Sequence, residues 1–472
     1  YNSYITKPGD CGSPIIKMVR NGAPRVVGIH TAANDIRGFC SLLTEAVLEP
    51  IPVCTEVGSD FKQENYTVEI EPVVLPNGAT ANHALGTVDD NDEFVPLTKF
   101  HPAKTRVAVS PLRNHRGEVK YTVNYNPPIL SRNDPRNPEG VDPLLKNVDK
   151  FARKHAPLDQ QEINTCMEEL AYAYVADFQR HDLKFRPLTN TESINGVANC
   201  RESKPIDLNT SPGYPWARLP RDKPGKRDYF TVVEDDNGQN RRLFFSPKGQ
   251  MIKERVAQLE AAFDRGETPV VCFDGNLKDE PLKDNKIADI KTRSIVAAPI
   301  DFVLLQRKYL HPILYGVMRS RDRMPIRVGL VANGKDFDTM WKDIRRAGGK
   351  AFDGDYKEFD GSCAREEILG CATFYKTCYK LLGHNNAHTF RMIDGIFRVL
   401  SEPHVTRGHF LFKADGTVVS GEGTTVFTDS LINFQRLSRG CRRALPPAQQ
   451  NAADVIKEFP MAIGGDDHIV VV

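Results

Sequence analysis

Phe459-Pro-Met-Ala-Ile-Gly-Gly-Asp-Asp-His-Ile-Val-Val-Val472 places two acidic residues between two apolar runs. Glycine adopts the backbone angles of a tight turn without steric cost, so the Gly464-Gly465 pair predicts a hairpin between two strands. The hairpin would hold Asp466 and Asp467 at its tip. A solvent-exposed turn without chemistry fits this short pattern as well, so its meaning depends on the rest of the chain.

A second acidic pattern lies upstream, in Asp353-Gly-Asp-Tyr-Lys-Glu-Phe-Asp-Gly-Ser362. Asp355 and Asp360 lie between a predicted strand, Ala351 to Asp353, and a predicted helix, Glu366 to Leu382. A carboxylate at the end of a strand is well placed to bind a hard cation through oxygen. The alternative is a solvated acidic turn that caps the helix.

Between these two patterns, a glycine-rich turn leads into a predicted helix in Ser420-Gly-Glu-Gly-Thr-Thr-Val-Phe-Thr-Asp-Ser-Leu-Ile-Asn433. The spacing puts Thr425, Asp429 and Asn433 near one face of that helix. Such a face can hydrogen-bond a ribose. The alternative is a capped helix with no further role.

Earlier still, basic and acidic residues alternate from Leu277 to Ser294. The basic ones are Lys278, Lys283, Lys286, Lys291 and Arg293. Cations at these intervals suit a triphosphate that enters a channel. A solvated charged surface is the alternative.

Taken in chain order, these four patterns resemble motifs F, A, B and C of the picorna-like RNA polymerases of the order Picornavirales. Thr210-Ser-Pro-Gly-Tyr-Pro-Trp216 is similar to the template-loop motif of that family, motif G. His101-Pro-Ala-Lys-Thr-Arg-Val-Ala-Val-Ser-Pro111 resembles a stretch found early in dicistrovirus-like and marnavirus-like polymerases. The resemblance covers roughly residues 100–472.

The resemblance implies a role for each matching residue. Asp355 and Asp466 would hold two Mg²⁺ (or Mn²⁺) ions, with Asp467 nearby, and these ions would assist nucleotidyl transfer. The residues implied to contact the incoming nucleotide are Lys278, Lys286, Lys291 and Arg293 at the triphosphate, and Asp360, Ser420, Thr425 and Asp429 around the ribose. Thr210 and Ser211 would border the template path.

Two departures from the family pattern stand out. The family usually carries asparagine where this chain has Asp429. A second carboxylate beside Asp360 cannot donate a hydrogen bond unless it is protonated, and two close carboxylates repel, which raises the pKa of one. The second departure is that the family's later palm motifs and thumb are not found by Val472. We therefore expect no primer extension by residues 1–472 alone.

The beginning of the chain resembles a different family. Thr6-Lys-Pro-Gly-Asp-Cys-Gly-Ser-Pro14 is followed by Gly28-Ile-His30, which is similar to the end of the chymotrypsin-like cysteine proteases in picorna-like polyproteins. Cys11 matches the nucleophile, with backbone N–H groups beside it for an oxyanion, while Thr6 and His30 match residues that bind a substrate glutamine. The general base and its acidic partner are missing from the matched stretch, so we expect no proteolysis by this chain alone.

The composition limits the class of protein but does not identify its function. The formal net charge of +2 does not by itself indicate a nucleic-acid enzyme, so a basic surface must be local. The 10 cysteines form no Cys-x-x-Cys pair, which argues against a zinc ribbon or a disulfide framework. No apolar run approaches the ~18 residues of a spanning helix, and no signal peptide is evident.

Helices are predicted from Asp159 to about residue 181, from Leu304 to Arg319 and from Glu366 to Leu382, and short strands from Val270 to Phe273, Ser294 to Ala297 and Ala351 to Asp353. Cys363, Cys371 and Cys378 lie seven or eight residues apart, which predicts buried thiols on one helix face.

The predicted organisation has three parts in an α+β chain. Residues 1–55 would be the C-terminal part of the protease, a partial chymotrypsin-like β-barrel of short antiparallel strands. Residues 56–100 would be a polar linker, in which Gln63 is a candidate cleavage position. Residues 101–472 would be the fingers and palm of a right-hand polymerase, with helices packed on an antiparallel sheet and the thumb absent.

The resemblance also implies partners and a location. The partners are an RNA template and primer, ribonucleoside triphosphates, the viral polyprotein as protease substrate, and the small genome-linked protein that the family commonly uses as primer. The location is the host cytoplasm, in replication complexes on intracellular membranes. Two alternatives stay open: a reverse transcriptase, against which Gly465 and Asp360 argue, and a decayed viral insertion without activity.

Overall fold

The computed structural model describes residues 105–108, 125–141, 143–146, 155–234, 241–331, 333–407 and 410–472, together with five short strands before residue 97. The chain divides into two units. One unit comprises Tyr1–Lys62, Ala103–Gly140 and Asp279–Thr292, and the other comprises Gln63–Pro102, Val141–Lys278 and Arg293–Val472.

The first unit contains a three-stranded antiparallel sheet formed by β1 (Pro14–Lys17), β2 (Arg25–Ala33) and β3 (Gly38–Leu42). The short antiparallel strands expected near the start of the chain are thus confirmed. The same unit pairs β6 (Tyr125–Asn126) with β10 (Leu282–Lys283), which leads directly into helix α5 (Asp284–Ala288).

The second unit carries most of the helices and strands. Its helices are α1 (Pro143–Lys146), α2 (Gln160–Phe178), α3 (Asn190–Asn195), α4 (Gln250–Asp264), α6 (Ile300–Tyr309), α7 (His311–Ser320), α8 (Lys335–Ala347), α9 (Phe359–Ser362), α10 (Arg365–Leu381), α11 (Ala387–Ser401), α12 (Thr425–Arg442) and α13 (Ala452–Glu458). Its strands are β4 (Gly86–Val88), β5 (Phe94–Pro96), β7 (Phe230–Glu234), β8 (Arg241–Phe245), β9 (Cys272–Leu277), β11 (Ser294–Ala297), β12 (Ala351–Gly354), β13 (His404–Arg407), β14 (Phe410–Lys413), β15 (Met461–Gly464) and β16 (Asp467–Val471).

Two sheets of the second unit position the candidate site. One has the strand order β12-β16-β15 and is fully antiparallel. The other has the order β11-β9-β13-β14, in which only the β13–β9 pair is parallel. Helices cover the sheets, and the resulting core is rich in buried aromatic rings such as Tyr174, Phe374 and Phe427, which meet edge to face. The mixed α+β character expected from the sequence is confirmed.

Helix α2 begins and α10 ends close to the predicted positions. The Asp159 carboxylate caps α2 by accepting the N–H groups of Gln161 at 2.8 Å and Glu162 at 3.3 Å. Helix α10 runs from Arg365 to Leu381 against the predicted Glu366 to Leu382.

The prediction of one helix from Leu304 to Arg319 is wrong. The structure has two helices, α6 and α7, that are separated at Leu310, where φ is −104°. Pro312 lies in the first turn of α7 and has no N–H to continue the ladder of α6, so the chain restarts as a new helix.

The described cysteines are free of disulfide bonds. Cys363, Cys371 and Cys378 are fully buried, which agrees with the expectation of core thiols. None of the helices in the described part of the chain combines the length and apolar character needed to cross a membrane.

Candidate active site

The hairpin at Gly464-Gly-Asp-Asp467 forms as the sequence predicts. Strands β15 and β16 pair through Gly464 and Asp467, which leaves Gly465 and Asp466 as a two-residue turn. Gly465 has a φ of 72°, a value that side chains disfavour, so glycine is needed at the first turn position. The side chains of Asp466 and Asp467 are exposed, whereas Met461 to Ile463 behind them are buried.

Strand β12 brings Asp355 to the same edge of the sheet. Gly354 pairs with His468 on β16, and Asp355 follows directly after this last pair of the ladder. The charge of Asp355 is close enough to act on Asp467, the first residue of β16. A Cβ at position 354 would collide with the His468 ring, so this close approach requires glycine immediately before Asp355.

The electrostatics of the three carboxylates reflect their proximity. Burial raises the pKa of Asp467, and the neighbouring charges of Asp466 and Asp355 raise it further, while His468 opposes them. Such repulsion is relieved by a cation, and carboxylate oxygens are the ligands that Mg²⁺ prefers. The donor type therefore fits a divalent ion.

The arrangement is not a closed metal cage. Within the part of the chain that the structure describes, no group of three or more His, Cys, Asp or Glu side chains is arranged to hold an ion. Mg²⁺ commonly takes only one or two protein carboxylates and fills its remaining positions with water and substrate phosphates. An open set of aspartates at a sheet edge is compatible with that habit.

Helix α12 faces the hairpin with two polar side chains. Ser430 Oγ accepts the N–H of Gly465 at 2.9 Å, and Asn433 Nδ2 donates to the carbonyl oxygens of Gly465 and Asp466, each at 3.0 Å. Asn433 was expected on a ribose-facing surface with Thr425 and Asp429. The structure instead uses its amide entirely within the protein, because Oδ1 also accepts the Tyr356 hydroxyl at 3.3 Å.

The hydroxyl groups of Ser420 and Thr425 shape the turn before α12. Ser420 Oγ accepts the N–H of Val296 at 3.1 Å, and Thr425 Oγ1 donates to the carbonyl oxygens of Val419 and Glu422, both at 3.1 Å. Asp360 is tied to the same turn through its backbone, since its carbonyl accepts the N–H of Val418 at 2.9 Å. The turn thus joins the backbone of Asp360 at Val418, two residues before Ser420 in the chain.

Asp429 sits among other acids. Burial first, and then the charges of Glu422, Asp466 and Asp360 in that order, raise the pKa of Asp429 to about 8, with Arg436 opposing. Within the described residues, Asp429 Oδ1 has no hydrogen-bond partner. The direction of the shift is the one expected from the sequence for a carboxylate near Asp360.

Sequence reasoning missed a buried polar cluster beneath this turn. Glu422 accepts the Thr424 N–H at 2.9 Å and the side-chain amide of Gln306, while Gln306 Oε1 accepts the Gly423 N–H at 3.1 Å. Burial raises the pKa of Glu422 to about 7. A glutamate between two glycines of a turn was the only local signal, because Gln306 lies over a hundred residues away.

The predicted template loop packs beside the same turn. Pro212 accepts the N–H of Ile300 at 2.9 Å, and Gly421 accepts the N–H of Ala298 at 3.2 Å, so both segments contact residues 298–300. Thr210 and Ser211 are exposed. Lys226, which the sequence analysis did not single out, is buried and donates to Thr210 Oγ1. Burial lowers the pKa of Lys226 to about 8.

The predicted triphosphate-binding cations fall in two places. In the second unit, the N–H of Lys278 donates to the carbonyl of Arg293 at 2.8 Å, which extends the β9–β11 pair. In the first unit, the N–H of Lys291 donates to the carbonyl of Lys286 at 2.8 Å, and Lys291 Nζ lies 2.9 Å from Asp289. Lys286, Lys291 and Arg293 are exposed.

The structure describes little of the predicted protease residues. Thr6 and Cys11 lie outside the described residues, as do Gln63 and most of the predicted linker. Of His30 only the backbone is described, within strand β2.

Comparison with known proteins gives a consistent result. A sequence profile described as viral RNA-dependent RNA polymerase matches residues 116–472. The chain is 31% identical over 491 residues to the replicase polyprotein of cricket paralysis virus, and 27% identical over 369 residues to that of Drosophila C virus. These alignments cover 98% and 76% of this chain, but only 26% and 20% of the polyproteins. The chain therefore spans about a quarter or less of the length of these curated relatives.

A solved structure shares the fold. The RNA-dependent RNA polymerase 3Dpol of a sicinivirus superposes with a TM-score of 0.57 at 19% sequence identity. The match covers 79% of this chain and 69% of that polymerase.

Proposed function

Because the chain belongs to the viral RNA-dependent RNA polymerase family, we propose that it supplies the site at which a positive-strand RNA virus joins ribonucleotides on an RNA template. The observation that supports this most directly is the sheet β12-β16-β15, which sets Asp355 beside Asp466 and Asp467. Two separate segments of the chain thus contribute carboxylates to one exposed edge.

These carboxylates would bind the catalytic cations. Asp355 and Asp466 would be the principal ligands of Mg²⁺ or Mn²⁺, with Asp467 beside them. Bound ions would supply positive charge to the attacking 3′-hydroxyl, the α-phosphate and the leaving pyrophosphate. The protein's own contribution is to hold the aspartates at the sheet edge and to leave their outer side open to substrate.

Ribose selection would fall mainly to Asp360 and Asp429. The Ser420 hydroxyl already accepts the Val296 N–H of β11, and the Thr425 hydroxyl already donates to the Val419 carbonyl of the turn. The role of both would be to present that turn to the nucleotide. A protonated Asp429 can donate a hydrogen bond, as the asparagine of the family does. Contact with the 2′-hydroxyl is what separates ribonucleotides from deoxyribonucleotides.

The remaining substrate contacts would come from charged and loop residues. The triphosphate would be bound by Lys278, Lys286, Lys291 and Arg293. Of these, Lys286, Lys291 and Arg293 are exposed and therefore accessible to an anion. Thr210 and Ser211, exposed on their loop, would border the template. A genome-linked protein as primer follows from the family resemblance alone.

The first residues would be the end of a processing protease. The antiparallel strands β1 to β3 are compatible with part of a chymotrypsin-like barrel, and the curated relatives are replicase polyproteins. Cys11 would be the nucleophile, and Thr6 and His30 would bind glutamine of the viral polyprotein. The family resemblance further implies work in the host cytoplasm, in replication complexes on intracellular membranes.

The test of the metal site is a Mn²⁺ titration of the purified chain followed by electron paramagnetic resonance, because it needs neither template nor primer. We expect Asp355→Asn and Asp466→Asn each to weaken Mn²⁺ binding by about tenfold or more, since each removes a charged oxygen ligand.

The control is Asp415→Asn, which changes an exposed carboxylate in the turn after β14. Its Mn²⁺ affinity should equal that of the unchanged chain. Equal affinity of the 355 and 466 variants with the unchanged chain would show that these aspartates do not bind the ion.

A further inference from the structure

The turn that carries Asp466 is held by helix α12 through three of its backbone groups. Asn433 and Ser430 are fully buried and together bond one N–H and two carbonyl oxygens of Gly465 and Asp466. Ser430 is itself fixed, because its hydroxyl donates to the Val426 carbonyl at 2.6 Å. The bonds lie on the inner side of the turn, so the Asp466 carboxylate remains exposed.

The residue after Asp355 joins the same hydrogen-bond chain. The Tyr356 hydroxyl donates to Asn433 Oδ1 at 3.3 Å. The Tyr356 ring is confined by Phe359, with ring centres 5.1 Å apart, and by His468, at 5.4 Å. The Arg436 guanidinium lies 5.5 Å from the centre of the ring on a further side. The hydroxyl therefore has little freedom to leave Asn433.

Strand pairing alone does not fix the two aspartates. The last pair between β12 and β16 is Gly354 with His468, and the last pair between β15 and β16 is Gly464 with Asp467. Asp355 and Asp466 each lie one residue beyond these pairs. The hydrogen-bonded series Tyr356–Asn433–Asp466 connects the two positions.

We propose that Tyr356, Asn433 and Ser430 form a bridge that sets the separation between the Asp355 and Asp466 carboxylates. The three are positioning residues: they act through the aspartates and touch neither nucleotide nor ion. The proposal rests on the metal site proposed above, and it adds a cause for the geometry of that site.

The test compares Mn²⁺ binding, measured by electron paramagnetic resonance, in Asn433→Ala, Ser430→Ala and Tyr356→Phe with that of the unchanged chain. One hydrogen bond contributes about a fivefold change in an equilibrium. We therefore expect affinity to fall by about tenfold or more in Asn433→Ala, which loses three bonds. It should fall by about threefold in Tyr356→Phe, because the single bond lost there is long, at 3.3 Å.

Matched controls lie on the same helix. Gln435 is buried and donates to the Glu367 carbonyl at 3.1 Å, and Ser438 is buried and accepts from Arg442 Nε at 3.0 Å. Gln435→Ala and Ser438→Ala remove comparable buried bonds without touching the hairpin. They should lower the urea midpoint of unfolding as much, yet change Mn²⁺ affinity by less than about twofold. Equal loss of affinity in the controls would overturn the bridge.

A double-mutant cycle tests whether Tyr356 acts through Asn433. With Asn433→Ala already present, Tyr356→Phe should have no further effect on Mn²⁺ affinity, because its partner is gone. Full additivity of the two substitutions would contradict the proposed chain of contacts.

Hydrogen exchange separates failure of the bridge from failure of the metal site. Asn433→Ala and Ser430→Ala should speed exchange of the Gly465 N–H relative to Gln435→Ala. If Asp466→Asn leaves Mn²⁺ binding intact, the metal site is wrong, and exchange still decides whether the turn is held. An unchanged exchange rate of the Gly465 N–H in these variants would disprove the bridge, regardless of the Mn²⁺ result.

Discussion

At the scale of single residues, Asp429 stands where the resembling family carries asparagine. The surroundings of this position make aspartate and asparagine more alike in hydrogen bonding than their charges suggest. Burial and three acidic neighbours raise the pKa of Asp429 to about 8, so at neutral pH the carboxyl group retains its proton. A protonated carboxyl donates one hydrogen bond and accepts another, as a side-chain amide does. The position thus keeps its donor.

This protonation predicts a pH dependence of stability. The folded state favours protonated Asp429, whereas the unfolded state releases the proton near pH 4, so the free energy of unfolding should fall as pH rises from about 4 to about 8. Asp429→Asn should remove this share of the fall, on the order of 3–4 kcal/mol between pH 5 and pH 8. Urea unfolding at both pH values, without divalent cations, measures it.

The control for that experiment is Asp415→Asn, at an exposed position in the turn after β14. Its stability should follow that of the unchanged chain at both pH values. An equal change in the free energy of unfolding between the two pH values, in Asp429→Asn and in the unchanged chain, would mean that this carboxyl group is ionised in the folded state.

At the scale of elements, helix α10 packs closely on helix α2 through Gly370. A Cβ at this position would collide with Cγ2 of Ile163. Ile163 is β-branched and has little rotamer freedom in a helix, so it cannot easily move aside. Gly440 in α12 provides the contrast, because a Cβ there meets no atom within 4 Å.

These two glycines predict opposite responses to the same substitution. Gly370→Ala should lower the free energy of unfolding by about 1 kcal/mol, since overpacking outweighs the gain in helix propensity. Gly440→Ala should raise it by roughly 0.5–1 kcal/mol, because only the propensity term acts. Urea unfolding of both variants checks this. An increase in the free energy of unfolding of both would show that α2 and α10 move apart without loss of stability.

Element boundaries followed the sequence where local chemistry sets them. The hairpin at Gly465 and the cap at Asp159 were predictable, because a glycine turn and a capping aspartate act within a few residues. The strand expected from Val270 to Phe273 instead runs from Cys272 to Leu277. Its apolar run ends at Phe273, but pairing with β11 continues through Gly275 and Asn276, and such distant pairing leaves no local pattern.

At the scale of the whole molecule, the chain combines two resemblances of unequal support. The polymerase family accounts for residues 116–472, whereas the protease resemblance lies on the first 55 residues and is a proposal. The curated relatives are polyproteins of which this chain spans about a quarter or less. If the protease proposal holds, the two parts would be separated by cleavage.

Gln63 is the only glutamine before position 160, so it is the candidate for that cleavage. In a viral polyprotein that carries this chain, Gln63→Ala should abolish separation of the two parts, because the protease would read glutamine at the cut. Cys11→Ala should have the same effect through loss of the nucleophile. Gel electrophoresis of the products measures both.

The matched control is Gln161→Ala, at an exposed glutamine in the first turn of α2. It should leave processing unchanged. Normal separation of the Gln63→Ala polyprotein would place the junction elsewhere.

The amino-acid sequence by itself determined which carboxylates form the candidate site, the hairpin that carries two of them and the order of the motifs. Each of these depends on a few adjacent residues. Only the tertiary structure decided that Asn433 supports the hairpin, that Gln306 bonds Glu422 beneath the turn and that Asp429 lies in an acidic, buried setting. Those features join residues far apart in the chain. Burial and hydrogen bonding between such residues exist only once the fold has brought them together.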